Sequence, residues 1–68
     1  MYKSILTERE REIFILLIKN KTTKDIANIL NISEKTVRNH ISNTMQKLGV
    51  KGRASAVVEL IKLNEIVL

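Results

Sequence analysis

With 68 residues and no cysteine, the chain is expected to form one domain over 1–68. Its thin core can be reinforced neither by disulfides nor by thiolate-bound metal, so added stability must come from association. Hydrophobic residues at 44%, two glycines and no proline lean toward an all-α fold, the net charge is +5, and no apolar run nears the ~18 residues that span a bilayer.

The first element is announced by Thr7-Glu8-Arg9-Glu10, which has the S/T-x-x-E form of a capping box and places Glu8, Glu10 and Glu12 where a helix dipole favours anions. A helix from about Glu8 to Lys19 follows. Ile13, Leu16 and Leu17 sit at i, i+3, i+4 and face inward, Phe14 extends that face, and Asn20 suits a left-handed exit. The glutamates read as dipole partners and ion-pair members, not as an acid/base dyad.

Thr23 is expected to cap a second helix over Lys24 to about Leu30, with Ile26, Ala27 and Leu30 inward. Asn31-Ile32-Ser33 then forms a three-residue turn. Asn31 tolerates left-handed geometry, Ile32 plugs the angle between helices, and Ser33 caps the next one. Residues 23 to 48 thus have a helix-turn-helix outline.

The third helix is predicted over Glu34 to Leu48, because Val37, Ile41, Thr44/Met45 and Leu48 make one apolar stripe, with Met45 read as core, and Gly49 suits the position after a helix end. At 100° per residue, Lys35, Asn39, Ser42, Asn43 and Gln46 point away from that stripe, with Thr36 and Arg38 on its flanks. From Lys35 to Arg53 there are five basic residues (Lys35, Arg38, Lys47, Lys51, Arg53) and no acidic one, and the other seven basic residues balance the seven acids. All the net charge therefore sits in one stretch, the footprint expected of a polyanion-binding surface, although a solvated basic face would carry the same charge.

A fourth helix should run from about Arg53 to Leu63, with Asn64 after its end. Ala54, Val57, Val58 and Ile61 are assigned to its inward stripe. Ala56, Leu60 and Leu63 then form a second apolar side, widening the sector to roughly 220°. That surplus is expected to be a homodimer interface over about 53–63. Arg53, a cation at a helix start, should pair with a first-helix glutamate or touch phosphate.

Leu6-Thr7-Glu8-Arg9-Glu10-Arg11-Glu12-Ile13, Lys24-Asp25-Ile26-Ala27, Ile32 to Ile41, Lys47-Leu48-Gly49-Val50 and Lys51 to Val58, taken in this order, resemble the LuxR-type helix-turn-helix regulators over nearly the whole chain. The likeness to stand-alone sporulation regulators of spore-forming bacteria is greatest over Lys21–Lys24 and Glu34–Val50. The resemblance implies a four-helix, sequence-specific, dimeric regulator of transcription. Its third helix enters the major groove of double-stranded DNA, its fourth pairs two subunits, and it recruits or repositions RNA polymerase. Base reading then falls on Arg38, Asn39 and Ser42, with Lys35 and Asn43 as additions. Thr36, His40, Lys47, Lys51 and Arg53 take phosphate or supporting roles. Asn64 departs from the family's usual glycine, and no receiver or ligand-binding domain is visible, which favours a stand-alone regulator, although a C-terminal domain cut from a larger regulator, with an added Met, would look the same.

Catalysis and cofactors are not expected. Thr7, Thr23 and Ser33 read as caps with no accompanying base and orienting group, and His40 lacks a second histidine or cysteine for a metal site. The start Met1-Tyr2-Lys3-Ser4 lacks the apolar stretch of a secretory signal, so a cytoplasmic location is expected. Two rival functions share the outline. A sigma-factor region 4-like promoter-binding module has the same turn but no need of a doubly apolar fourth helix, and a helical protein-interaction module would leave the basic helix merely solvated. Single-stranded or RNA binding is disfavoured because only Tyr2 and Phe14 could stack on bases, and Phe14 reads as core.

Overall fold

The computed structural model describes residues 5–67; Met1 to Ser4, Tyr2 among them, and Leu68 lie outside the described residues. Four helices follow in order: α1 (Glu8–Ile18), α2 (Thr23–Leu30), α3 (Glu34–Leu48) and α4 (Arg53–Lys62). No helix among the described residues is long and apolar enough to cross a membrane.

Local chemistry sets the ends of each helix. Thr7 Oγ1 accepts the Glu10 N–H at 3.1 Å while the Glu10 carboxylate accepts the Thr7 N–H at 2.9 Å, so two orphan donors at the start of α1 are satisfied reciprocally. α2 repeats the device one residue earlier than expected. Thr22, not Thr23, is the cap, exchanging hydrogen bonds of 3.0 and 3.1 Å with Asp25. Capping from Thr23 would have put Ile26 at the reciprocal position, where no acceptor exists. Ser33 caps α3 through the Thr36 N–H at 3.0 Å.

The exits are left-handed where short polar side chains or glycine allow it: Asn20, Asn31, Gly49 and Asn64 have φ of 66°, 57°, 69° and 58°. Asn and Gly carry the least steric penalty there. At Asn31 this conformation turns the chain sharply enough for the Ile32 N–H to reach the Ala27 carbonyl at 3.0 Å, and Ile32 packs half-buried against the core.

α3 is the hub, contacting α1, α2 and α4. Val37, Ile41 and Thr44 of its inner side are buried, together with Ile13 and Phe14 of α1, Ile26 and Ala27 of α2, and Ala56 and Leu60 of α4. Of the Thr44/Met45 pair, Thr44 is fully buried, while Met45, read as core, is only partly buried against it. The Thr44 hydroxyl donates to the His40 carbonyl one turn back at 2.9 Å, which removes the cost of burying it.

On α4 the structure reverses the sequence reading at Ala56, Leu60, Ala54 and Val58. Ala56 and Leu60, assigned to a dimer interface, are completely buried in the core of the single chain. Ala54 and Val58, assigned inward, are exposed, and Val57 and Ile61 are half-buried. Both sides are apolar, so periodicity could count the stripes but not orient them. Leu63, after the helix, is 40% exposed.

The segment after α4 adds a feature without a sequence signal. Beyond Asn64 the chain turns back onto α1, burying Glu65 and Ile66. Arg11 of α1 donates to the Glu65 carbonyl and, at 3.1 Å, to its carboxylate, which also accepts the Ile5 N–H at 3.3 Å. The two ends of the described chain are thereby tied to each other, and the C-terminal one to α1.

Candidate nucleic-acid interface

The outer side of α3 is what the packing leaves over. Clamped from within by three helices, α3 presents Lys35, Arg38, Asn39, Ser42 and Asn43, all exposed, along one face. Each residue expected to read bases is therefore on the free side of one rigid element, with donor and acceptor chemistry suited to groove edges.

The supporting residues are more varied. Thr36 is half-buried, and its hydroxyl shares a 2.9 Å hydrogen bond with Ser33, so its first task is the entry turn. His40 is half-buried beside a shallow hollow also lined by Thr7, Glu10, Asn43, Gln46 and Lys47. Lys51 and Arg53 are exposed in the α3–α4 connection and at the start of α4. Arg53 forms no ion pair with any described residue, so the expected glutamate partner from the first helix is not its partner.

Lys47 has a structural task that the sequence reading did not assign. Its ammonium lies 2.6 Å from Oε1 of Glu10, which is buried, and 3.4 Å from the Ile5 carbonyl. Desolvation pushes the Glu10 carboxyl up. The Lys47 and Thr7 hydrogen bonds and the Lys47 charge outweigh it, leaving the group below the usual glutamate range. Residues 37 apart in sequence carry no local signal of such a pair. Arg38 also has a partner, Glu34, with Nη1 3.7 Å from Oε1 at i, i+4 spacing. That contact was legible as a charge pattern.

An apolar cleft of about 220 Å³ lined by Ile15, Ile18, Lys19, Ile66 and Val67 lies elsewhere, between α1 and the final segment. None of the candidate DNA-contacting residues lines it.

The family model of bacterial regulatory proteins of the luxR family matches residues 4–60. The chain belongs to this luxR family. It is 69% identical over 64 residues to the spore germination protein GerE of Bacillus subtilis (strain 168), an alignment covering 94% of this chain and 86% of GerE. A solved structure of the transcription factor GerE superposes with a TM-score of 0.92 at 63% identity, covering 96% of this chain and 97% of that one. The transcriptional regulatory protein DegU of Brevibacillus brevis is 50% identical over 58 residues, but those are 85% of this chain and only 25% of DegU. The luxR-family chain is thus a DNA-binding transcription regulator, which sets aside the sigma-like and protein-interaction readings.

Proposed function

We propose that this luxR-family domain reads duplex DNA as a symmetric dimer, laying α3 in the major groove of each half-site, and that its targets include sporulation genes. One observation carries the reading: α3 is gripped by three helices on its inner side, while its outer side stays exposed from Lys35 to Asn43. A rigid helix with free polar side chains is what base reading requires. Arg38, Asn39 and Ser42 read base edges, helped by Lys35 and Asn43. Thr36 and His40 support the approach to phosphate, and Lys51 and Arg53 add charge along the backbone. Lys47 has an N–H beyond those aimed at Glu10 and Ile5, and its side chain is 37% exposed, so it can hold α1 and face a phosphate together.

The pairing surface is the outer side of α4, where Ala54 and Val58 are exposed and Val57 and Ile61 half-buried beside them, with Leu63 exposed beyond the helix end. Two-fold pairing there sets the recognition helices about one DNA turn, roughly 34 Å, apart on an approximately palindromic site. The bound dimer then acts on RNA polymerase at the promoter. The sporulation role is supported by the identity to GerE, named as a spore germination protein.

Selection from random duplexes tests the reading. Two similar half-sites in inverted orientation are expected. Recovery of no preferred sequence overturns it, and a single half-site bound by a monomer overturns the dimer.

A further inference from the structure

Glu34 is the only acidic residue of α3 and opens the helix, in the turn where a reading helix reaches the bases. A negative charge there is costly against a polyanion. Its carboxylate is exposed, with Oε1 3.7 Å from Arg38 Nη1, too far for a hydrogen bond and close enough for an ion pair. Between two solvated side chains such a pair is weak. In a groove that excludes water the same pair strengthens, because the local dielectric falls.

Guanidinium geometry gives that strengthening a direction. A guanine takes two of the five guanidinium N–H groups through O6 and N7, leaving others for a carboxylate. Glu34, one turn before Arg38 on the same exposed flank, stands where it can accept one of them. Opposite a base pair without a guanine, Arg38 has no forked partner, and the Glu34 carboxylate meets acceptor atoms and phosphates with its charge poorly compensated.

We infer that Glu34 is a specificity-determining positioning residue: it holds Arg38 for guanine and penalises sites lacking one, lowering affinity for arbitrary DNA. This rests on the DNA-reading role proposed above. The experiment compares the intact chain, Glu34→Gln, Arg38→Ala and the double variant on a selected and a scrambled duplex at one salt concentration, with circular dichroism as the folding control. Glu34→Gln is expected to tighten binding to the scrambled duplex and to lower the selected-to-scrambled affinity ratio at least about threefold. In the Arg38→Ala background it should tighten both duplexes alike and leave the ratio unmoved. Glu34→Asp, which keeps the charge but shortens its reach, should retain the rejection of scrambled DNA and lose part of the gain on the selected site. A selective intact chain whose ratio is unchanged by Glu34→Gln, or falls equally without Arg38, overturns this inference alone. If the intact chain selects no sequence, the DNA-reading proposal falls and takes this one with it.

Discussion

Oε1 of Glu10 accepts two hydrogen bonds, from the Thr7 N–H at 2.9 Å and from Lys47 Nζ at 2.6 Å. The oxygen that closes the capping box of α1 therefore also fastens α1 to the far end of α3. Local helix initiation and tertiary docking depend on the same buried carboxylate.

Replacing Lys47 should accordingly be a folding mutation before it is a binding one. Lys47→Ala leaves a buried carboxylate without its cation, at a cost of about 1–3 kcal/mol. For a domain of this size that is a fall in Tm of roughly 4–8 °C per kcal/mol. Thermal melts followed by circular dichroism check it. An unchanged Tm with weaker DNA binding would make Lys47 a phosphate contact only.

The same geometry sets an acid limit. Glu10 titrates lower in the folded chain than when unfolded, the net result of burial opposed by Lys47 and Thr7, and Asp25 is lowered chiefly by the Thr22 N–H. The unfolded state then binds protons more readily, so this stabilisation is complete above the unfolded carboxylate values, about 4, and is lost as pH falls through the lower folded values. Urea midpoints should decline below about pH 5. Glu10→Gln should begin lower at neutral pH and decline less. A parallel decline would remove Glu10 from the account.

The reversed faces of α4 separate stability from association. Leu60→Ala, in the core, should cost about 2–5 kcal/mol. Val58→Glu, at a side chain 53% exposed, should leave the melt of the dilute, monomeric chain within roughly 0.5 kcal/mol of its original stability while weakening the dimer and the stability it adds at high concentration. Sedimentation at several concentrations distinguishes them. A Val58→Glu chain that dimerises normally would move the interface off this strip.

Arg38→Ala should discriminate base contact from phosphate contact. A loss of about 1–3 kcal/mol on the selected duplex is expected, with a much smaller loss on a scrambled one. The fold should be retained, since the side chain is 55% exposed and its ion pair with Glu34 lies at the surface. Equal losses on both duplexes would make Arg38 a phosphate anchor and shift base reading toward Lys35, Asn39 or Asn43.

Helix starts and ends, the cap of α2 excepted, were legible in the residues themselves because they depend on contacts within one turn of chain. Thr7 with Glu10, Ser33 before Glu34, and Asn20, Asn31, Gly49 and Asn64 at the exits each act through neighbours a few positions away. The inner and outer sides of α3 were legible for a related reason: one side is apolar and the other is not, so burial has a single solution. Where the sequence offered two equivalent solutions, only packing chose between them. The fourth helix is apolar on both sides, and the space beside α3 accepts Ala56 and Leu60 while leaving Ala54 and Val58 outside. Likewise Lys47 meeting Glu10, and Glu65 returning to Arg11, join residues 37 and 54 positions apart. Those pairs exist because folding brings helix ends together, and charge, spacing and periodicity along the chain do not encode that distance.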